Sequence, residues 1–417
     1  MLSPIALVLD NPGAQLLAEW DSHPERHSMS AFDFNAALRA QGASAEVAAA
    51  VMTQCELRDR AHAKLGPIAR RLIFTRDGIE QATRLSVAIT HAQRYAASGA
   101  RCIADLGCGN GGDSLAFLLA GMNVVAVDID ADASSAARWN LQATAASLPL
   151  SPRAEVLTAD VTALDVPGLA ARGVNAIFAD PARRTGAAKG SARILSPELW
   201  SPSLPTVMSW RDSYARIGVK LAPGIDHAAL PADCHAQWTS VDGDLVEAAL
   251  WTPALAPEGS GRSALVMRAD ESHVLSDPLI DEANAPVPQA PIGDLGEMIA
   301  EPDPAVIRSG TVRVLAEELG AHLISDKIAY LSGNDLPATP FAARFEVCDV
   351  VALRPKAITA ALRAMDVGRV EVKKRGADLD PATLRSALKL SGSQEATVIA
   401  TRIAGRHRAI IARRVRD

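Results

Sequence analysis

From Ala100 to Pro181, short apolar runs alternate with stretches whose apolar residues recur at helical spacing: RCIADLG, DSLAFLLAG, NVVAVDI, DASSAARWNLQATAAS, AEVLTADV and VNAIFADP. That alternation predicts a parallel sheet with helices on both faces. Residues 1–98 read as helical. Ser30 or Asp33 is placed to cap a helix through Ala37 and Leu38, and Ser44 one that stops at Gly66-Pro67. A third helix is expected from about Gly78 to Gly99, with Leu85, Ile89 and Ala92 as its apolar stripe. After Pro181 the pattern predicts a helix over 204–214 and a strand in RIGVKLAPGID. Two further strands, AQWTSVDGDLVEAALWTP and SALVMR, are expected to form an antiparallel closing pair. The segment 272–335 is acidic and Pro-rich at first, a linker, then a helix opened by Asp303-Pro304 and ended by Gly320. From Pro340 the order is β-α-β-α-β-β, a small α+β unit.

The chemistry gathers at the first strand-to-helix turn, ADLGCGNGGD, where an apolar run ends in Asp105 and four glycines follow. Glycine suits a backbone that must approach a ligand closely, and the helix behind it directs free N–H groups at whatever sits on the turn. Gly107, Gly109 and Gly112 satisfy a dinucleotide spacing, whereas Asp105 with Gly107, Gly109 and Gly111 satisfies one that holds S-adenosylmethionine (SAM). An acid at the strand tip repels a pyrophosphate and attracts the ammonium and sulfonium of SAM. Asp128 ends the second strand, placed for ribose hydroxyls, and Asp160 follows the third, placed for an adenine amine.

The fourth strand ends Asp180-Pro181-Ala182-Arg183. Amino-methyltransferases of nucleic acids carry Asn or Asp, two prolines and an aromatic here. The acid and first proline are kept, and Arg183 stands in the aromatic slot, where a guanidinium stacks on a base or binds phosphate. Residues 186–203, with Lys189 and Arg193, read as a substrate loop, and Lys220 and Asp226 flank the fifth strand's end.

Net charge is −6, but residues 335–417 hold 16 Lys and Arg against 9 Asp and Glu, so a basic end follows an acidic body. Lys373, Lys374 and Arg375 at a strand exit, and Arg406 and Arg408 in the last hairpin, are candidate RNA contacts. Charged edge strands that resist aggregation are the competing reading. Arg58, Arg60, Lys64, Arg70, Arg71 and Arg76 read either as a solvated helix face or as an RNA-facing surface. Five scattered cysteines without a C-x-x-C imply reduced thiols and no zinc, and no run reaches membrane-spanning length, so a cytoplasmic protein is expected.

With these pieces assembled, the chain resembles bacterial class I SAM-dependent methyltransferases that end in a THUMP-like domain. DLGCGNGGDSLAFL, VVAVDID, FADPARR, GVKLAPGID, WTSVDGDLVEA, EPDPAVIRSG and EVKKRGADLDPATLR carry the resemblance. It implies a Rossmann-like seven-stranded α/β sheet at 99–271, after an N-terminal helical domain (1–98) and before a THUMP-like domain (336–417). It also implies SAM at Asp105, Gly107, Cys108, Gly109, Asn110, Gly111, Asp128, Ile129 and Asp160, with Glu80 and Gln81 from the segment before the sheet. Asp180, Pro181 and Arg183 would serve catalysis, and Arg184 the RNA, a tRNA or rRNA. A methyltransferase-shaped RNA-binding protein with little catalysis and a small-molecule methyltransferase are the rival expectations.

Overall fold

A computed structural model describes residues 2–149, 152–183, 196–269 and 271–416. The chain divides into two compact units, 1–225 with 250–258, and 226–249 with 259–417.

The first unit opens with α1 (Pro4–Leu9), α2 (Gly13–Asp21), α3 (Ala31–Ala40) and α4 (Ala45–Leu65) around Leu16, Leu17, Trp20, Phe34, Leu38 and Val51. The Ser30 and Ser44 hydroxyls accept the first-turn N–H groups of α3 and α4, as their spacing predicts. Gly66, at φ +64°, ends α4.

The single helix expected from Gly78 is two, α5 (Arg76–Gln81) and α6 (Leu85–Ala97). The break resets the helical phase. The inward face of α6 is therefore Val87, Ala88, His91, Ala92 and Tyr95, and Ile89 is exposed.

The alternating region forms β1 (Cys102–Leu106), α7 (Gly112–Leu119), β2 (Asn123–Asp128), α8 (Ala131–Ser147), β3 (Ala154–Thr158), β4 (Ala176–Ala179), α9 (Leu204–Ser209) and β5 (Ile217–Leu221). The strands are parallel in the order β3-β2-β1-β4-β5, and Leu250–Trp251 adjoin β5. β1, β4 and β5 are buried at every residue, as strands covered on both faces must be. Strand order reverses between β1 and β4, whose carboxyl ends meet at the pair Leu106–Ala179, and such switch points are where α/β sheets bind ligands.

The second unit holds β6 (His235–Val241) and β7 (Asp244–Trp251, its last two residues counted with the first unit), joined through Asp242 and Gly243. Both turn residues have positive φ, the geometry of a tight hairpin. The antiparallel closing pair thus lies within the stretch read as one strand. The run SALVMR lies in β8 (Gly261–Arg268), which pairs parallel with β6 and antiparallel with β9 (Glu271–Ser276).

The segment expected as linker and helix holds more order than its prolines suggest. β10 (Met298–Pro302), α10 (Pro304–Ser309), α11 (Val312–Glu318), β11 (His322–Leu323) and β12 (Leu331–Gly333) follow, with Gly310 at φ +83° splitting the one expected helix. β13 (Ala342–Ala352), α12 (Pro355–Ala364), β14 (Val367–Lys374), α13 (Pro381–Ala387), β15 (Gln394–Ile403) and β16 (Arg406–Arg414) give the predicted β-α-β-α-β-β order. Their sheet runs β11-β12-β10-β13-β16-β15-β14, so three strands of the segment expected as linker and helix belong to it. Alternation on β15 and β16 feeds two cores, Val398 and Ile411 beneath α12 and α13, Ile399 and Ile410 against Ile299, Tyr330 and Phe345.

Candidate active site

The glycine turn is shaped by what its glycines touch. Gly107 has φ +89°, and a Cβ there would stand 2.5 Å from the carbonyl oxygen of Asp180, so this position requires glycine on two counts. The N–H groups of Gly107 and Cys108 both donate to the Val127 carbonyl, and that of Gly109 donates to Asp128 Oδ2 at 2.8 Å. Gly111, left-handed at φ +83°, starts α7. Among the described residues, a Cβ at Gly109 or Gly112 would meet no atom within 4 Å, so the outer side of the turn offers bare backbone.

A strap from the helical region crosses the turn. Asn140 accepts from the Ile73 N–H and donates to the carbonyls of Ile73 and Asn110; Gln54 accepts from the Phe74 N–H and donates to its carbonyl. Asn110 Oδ1 accepts from the Thr75 N–H at 3.1 Å, and Gly78 leaves room for that amide, since a Cβ would lie 1.9 Å from it. Lys64 closes the far end of α5 by donating to the carbonyls of Ile79, Glu80 and Ala82.

Asp105 and Asp180, at neighbouring strand ends, have unlike surroundings. Asp105 is wholly buried and accepts the Ser114 hydroxyl from α7; burial, then the adjacent charge of Asp113, pushes its carboxyl up to about 8. Burial thus disfavours the carboxylate at the turn, and a cation arriving nearby favours it. Asp180 extends β4 by one residue and Lys220 lies on β5 just past the pair Ala179–Val219; Lys220 Nζ donates to Asp180 Oδ2 at 2.8 Å. Arg183 lies 4.0 Å from the other oxygen, Oδ1.

Lys220 is also held from behind. Its ammonium donates to Thr83 Oγ1 at 2.9 Å, Thr83 donates to Asp113 Oδ2 at 2.7 Å, and His91 Nδ1 lies 2.9 Å from Asp113 Oδ1. Burial works to raise the Asp113 carboxyl, but the His91 hydrogen bond and charge, with Lys220 and Thr83, outweigh it and hold it below the ordinary carboxylate range. Phe178 and Trp251 pack on His91 with ring centres 5.3 and 5.4 Å away, giving the network an apolar floor. Thr83 reaches this position because the helix breaks at Ala82–Arg84.

Comparison with known proteins settles the family. Residues 342–414 match the THUMP domain-like family and residues 2–61 a domain of unknown function. The fold matches a crystal structure, provisionally named as a methyltransferase, from Porphyromonas gingivalis W83, with TM-score 0.74 and 18% identity over 98% of this chain and 99% of that one. Uncharacterized S-adenosylmethionine-dependent methyltransferases from two Mycobacterium tuberculosis strains, CDC 1551 / Oshkosh and H37Rv, are each 32% identical over 358 residues, 83% of this chain and 90% of theirs. The chain belongs to the SAM-dependent methyltransferases.

As a methyltransferase of class I it uses SAM as cofactor, and the bare outer side of Gly109 and Gly112 fits a ligand lying against backbone. Asp128 is half-buried, with Oδ2 on Gly109 and Oδ1 accepting from the Asp130 N–H; Ile129 beside it is 68% exposed. Asp160 is exposed, and its Oδ1 accepts from the N–H and hydroxyl of Thr162. Cys108 is buried, and burial raises its thiol well above the ordinary range. Glu80 and Gln81 are exposed on α5, with Glu80 3.6 Å from Arg60.

Arg184, Lys189 and Arg193 lie outside the described residues. The loop that carries them leaves and returns through mutual backbone bonds between Ala182 and Ser201. Asp226, in the second unit, accepts the Ala228 N–H as a local cap.

Most of the basic positions have partners within the methyltransferase itself. Arg58 pairs with Asp21 and the Leu72 carbonyl, Arg70 with Asp21 and Asp59, and Arg76 with Glu56, so that cluster mainly ties helices together. Lys373 pairs with Glu301 and Glu371, Lys374 donates to the Leu379 carbonyl, and Arg375 donates to the Ala329 carbonyl over the Tyr330 ring. Arg406 is exposed and Arg408 half-buried. Sequence reading rated Lys220 only as a flanking residue and passed over Thr83, Asp113 and His91. Their signal is spatial, joining positions up to 137 residues apart.

Proposed function

We propose that this methyltransferase modifies a base nitrogen of RNA, a tRNA or rRNA, with Asp180 receiving the target amine. The observation that carries the reading is Asp180-Pro181 at the switch point, its carbonyl against Gly107 and its carboxylate held by Lys220. Asp180 Oδ1 and the backbone carbonyl are the acceptors for the amine's N–H groups, orienting the nitrogen lone pair. Arg183 is the group to stack on the base or meet a phosphate. SAM, when bound, supplies an electrophilic methyl group. Its holders are Gly107, Cys108, Gly109, Asn110 and Gly111 along the turn, with Asp105 beneath it. Asp128 and Ile129 serve the ribose and adenine, with Asp160, and Glu80 and Gln81 complete the set.

Support for RNA comes from the THUMP domain-like match at 342–414 and from Arg406 and Arg408, whose charges stand on the final strand. The test is transfer of tritiated methyl from SAM to bulk RNA, followed by nucleoside mass spectrometry. Label in a methylated base supports the reading; label confined to small metabolites, or SAM binding with no label in RNA, overturns it.

A further inference from the structure

We propose that Lys220 is a positioning residue for methyl transfer, fixing the Asp180 carboxylate through Oδ2 from a seat built by Thr83; this rests on the reading of Asp180 as the group that meets the amine. β4 and β5 run parallel and in register, so Asp180 and Lys220 follow the pair Ala179–Val219 side by side. The Lys220 side chain is only 8% exposed, against 24% for Asp180, so the ammonium is fixed on the inner side and the carboxylate keeps an outward edge. With Oδ2 engaged by Lys220 at 2.8 Å, the free choice of the carboxylate rotor is lost and Oδ1 is the oxygen left to face a substrate.

Packing alone does not account for the arrangement, since an apolar residue of similar volume stabilises a buried site as well as an ion pair does. The ammonium is held against the like charge of Lys64, whose own proton affinity is lowered by burial and then by the charge of Lys220. Asp113, on α7, is linked to it through Thr83, and His91, on α6, meets the far oxygen of Asp113. Thr83 sits where α5 gives way to α6, so the helical region before the sheet takes part in aligning the reacting group. An accessory segment here completes the carboxylate's support and is more than a cover over the cofactor turn.

Two measurements decide it. In the first, full-length Lys220→Met, Lys220→Arg, Thr83→Val and Asp180→Ala are compared for tritium transfer from SAM to bulk RNA, with calorimetric SAM titration giving the folded, binding-competent fraction. Lys220→Met is expected to lower kcat by about tenfold to a hundredfold with the SAM KM within about twofold, Lys220→Arg to recover part of the loss, and Thr83→Val to fall between. Full kcat in Lys220→Met, or a loss accounted for by the binding-competent fraction with no recovery in Lys220→Arg, overturns the proposal. Activity in Asp180→Ala overturns the reading of Asp180 instead, and with it the role assigned to Lys220.

The second measurement is independent of turnover. A buried, hydrogen-bonded ammonium is expected to give a slowly exchanging 15Nζ resonance, absent in Lys220→Arg and displaced in Asp180→Asn. The same resonance unmoved in Asp180→Asn overturns the pairing, whatever RNA does in the first assay.

Discussion

At the carboxyl end of β1, Asp105 is buried, accepts a hydroxyl and carries a carboxyl pushed up to about 8; one strand away, at the end of β4, Asp180 meets an ammonium at 2.8 Å. Both acids end apolar strands, and the sequence presents them alike. The difference lies in what the neighbouring elements bring. Beside Asp105, α7 supplies Ser114 and the like charge of Asp113; beside Asp180, β5 supplies Lys220. The sequence therefore does not give the setting of an acid at a strand end; for Asp105 burial comes first, and then the like charge of Asp113.

Asp180→Ala is the harshest test of this contrast. It is expected to lower transfer to RNA by about a hundredfold or more while SAM affinity by calorimetry stays unchanged. A matching loss of SAM affinity would make Asp180 a cofactor residue. Gly107→Ala probes the point where the two strand ends touch. Its φ of +89° and the Asp180 carbonyl 2.5 Å from the added carbon predict a loss of about 1–3 kcal/mol in urea unfolding, with weaker SAM binding.

The pH dependence of stability separates Asp105 from its neighbour Asp113 by sign. Asp105 in the folded chain keeps a proton to about pH 8 that the unfolded chain gives up near the ordinary carboxylate value, about 4. Its stabilising contribution is therefore complete below about pH 4 and is lost as pH rises toward 8. Asp105→Asn is expected to flatten the decline of unfolding free energy over that window by up to about 1.4 kcal/mol per pH unit. Asp113, held below the ordinary range, contributes in the opposite sense, and its share is lost as pH falls through the acid side.

Arg406→Ala with Arg408→Ala carries the comparison to exposed charge. The pair is expected to reduce the salt dependence of RNA binding, with the log–log slope falling by about 0.7 per phosphate contact removed, as read by filter binding. The smallest effect is expected from Arg60→Ala. This residue sits 3.6 Å from Glu80 on an exposed face, and the melting temperature is expected to hold nearly constant.

Features written in adjacent residues were legible in the chain. The caps Ser30 and Ser44, the strand-ending acids and the glycine turn each depend on a few neighbours, and each stands where its spacing predicts. Features that join distant segments were not legible. Nothing in Ala82-Thr83-Arg84 marks a helix break, because what stabilises it is the pairing of Thr83 with Asp113 and Lys220. The segment 272–335 looked like a linker by its prolines, yet β10 is stitched to β13 from Met298–Glu346 through Pro302–Ala342. Charge counts left most open. Arg58, Lys64 and Arg70 read as a solvated helix face or an RNA-facing surface, and in the fold they meet carbonyls and acids of their own chain.

The carboxamides of Gln54 and Asn140 grip only main-chain atoms of Ile73 and Phe74, whereas that of Asn110 engages both the N–H and the hydroxyl of Thr75. Such a latch does not itself discriminate among most residue types at 73 and 74, so the choice of Ile73 and Phe74 falls to the core in which both are buried. Proline is the exception, because it lacks the N–H that each amide oxygen receives. Ile73, Phe74 and Thr75 should accordingly show slow amide hydrogen exchange although no strand is assigned there, with the slowing lost at Phe74 in Gln54→Ala.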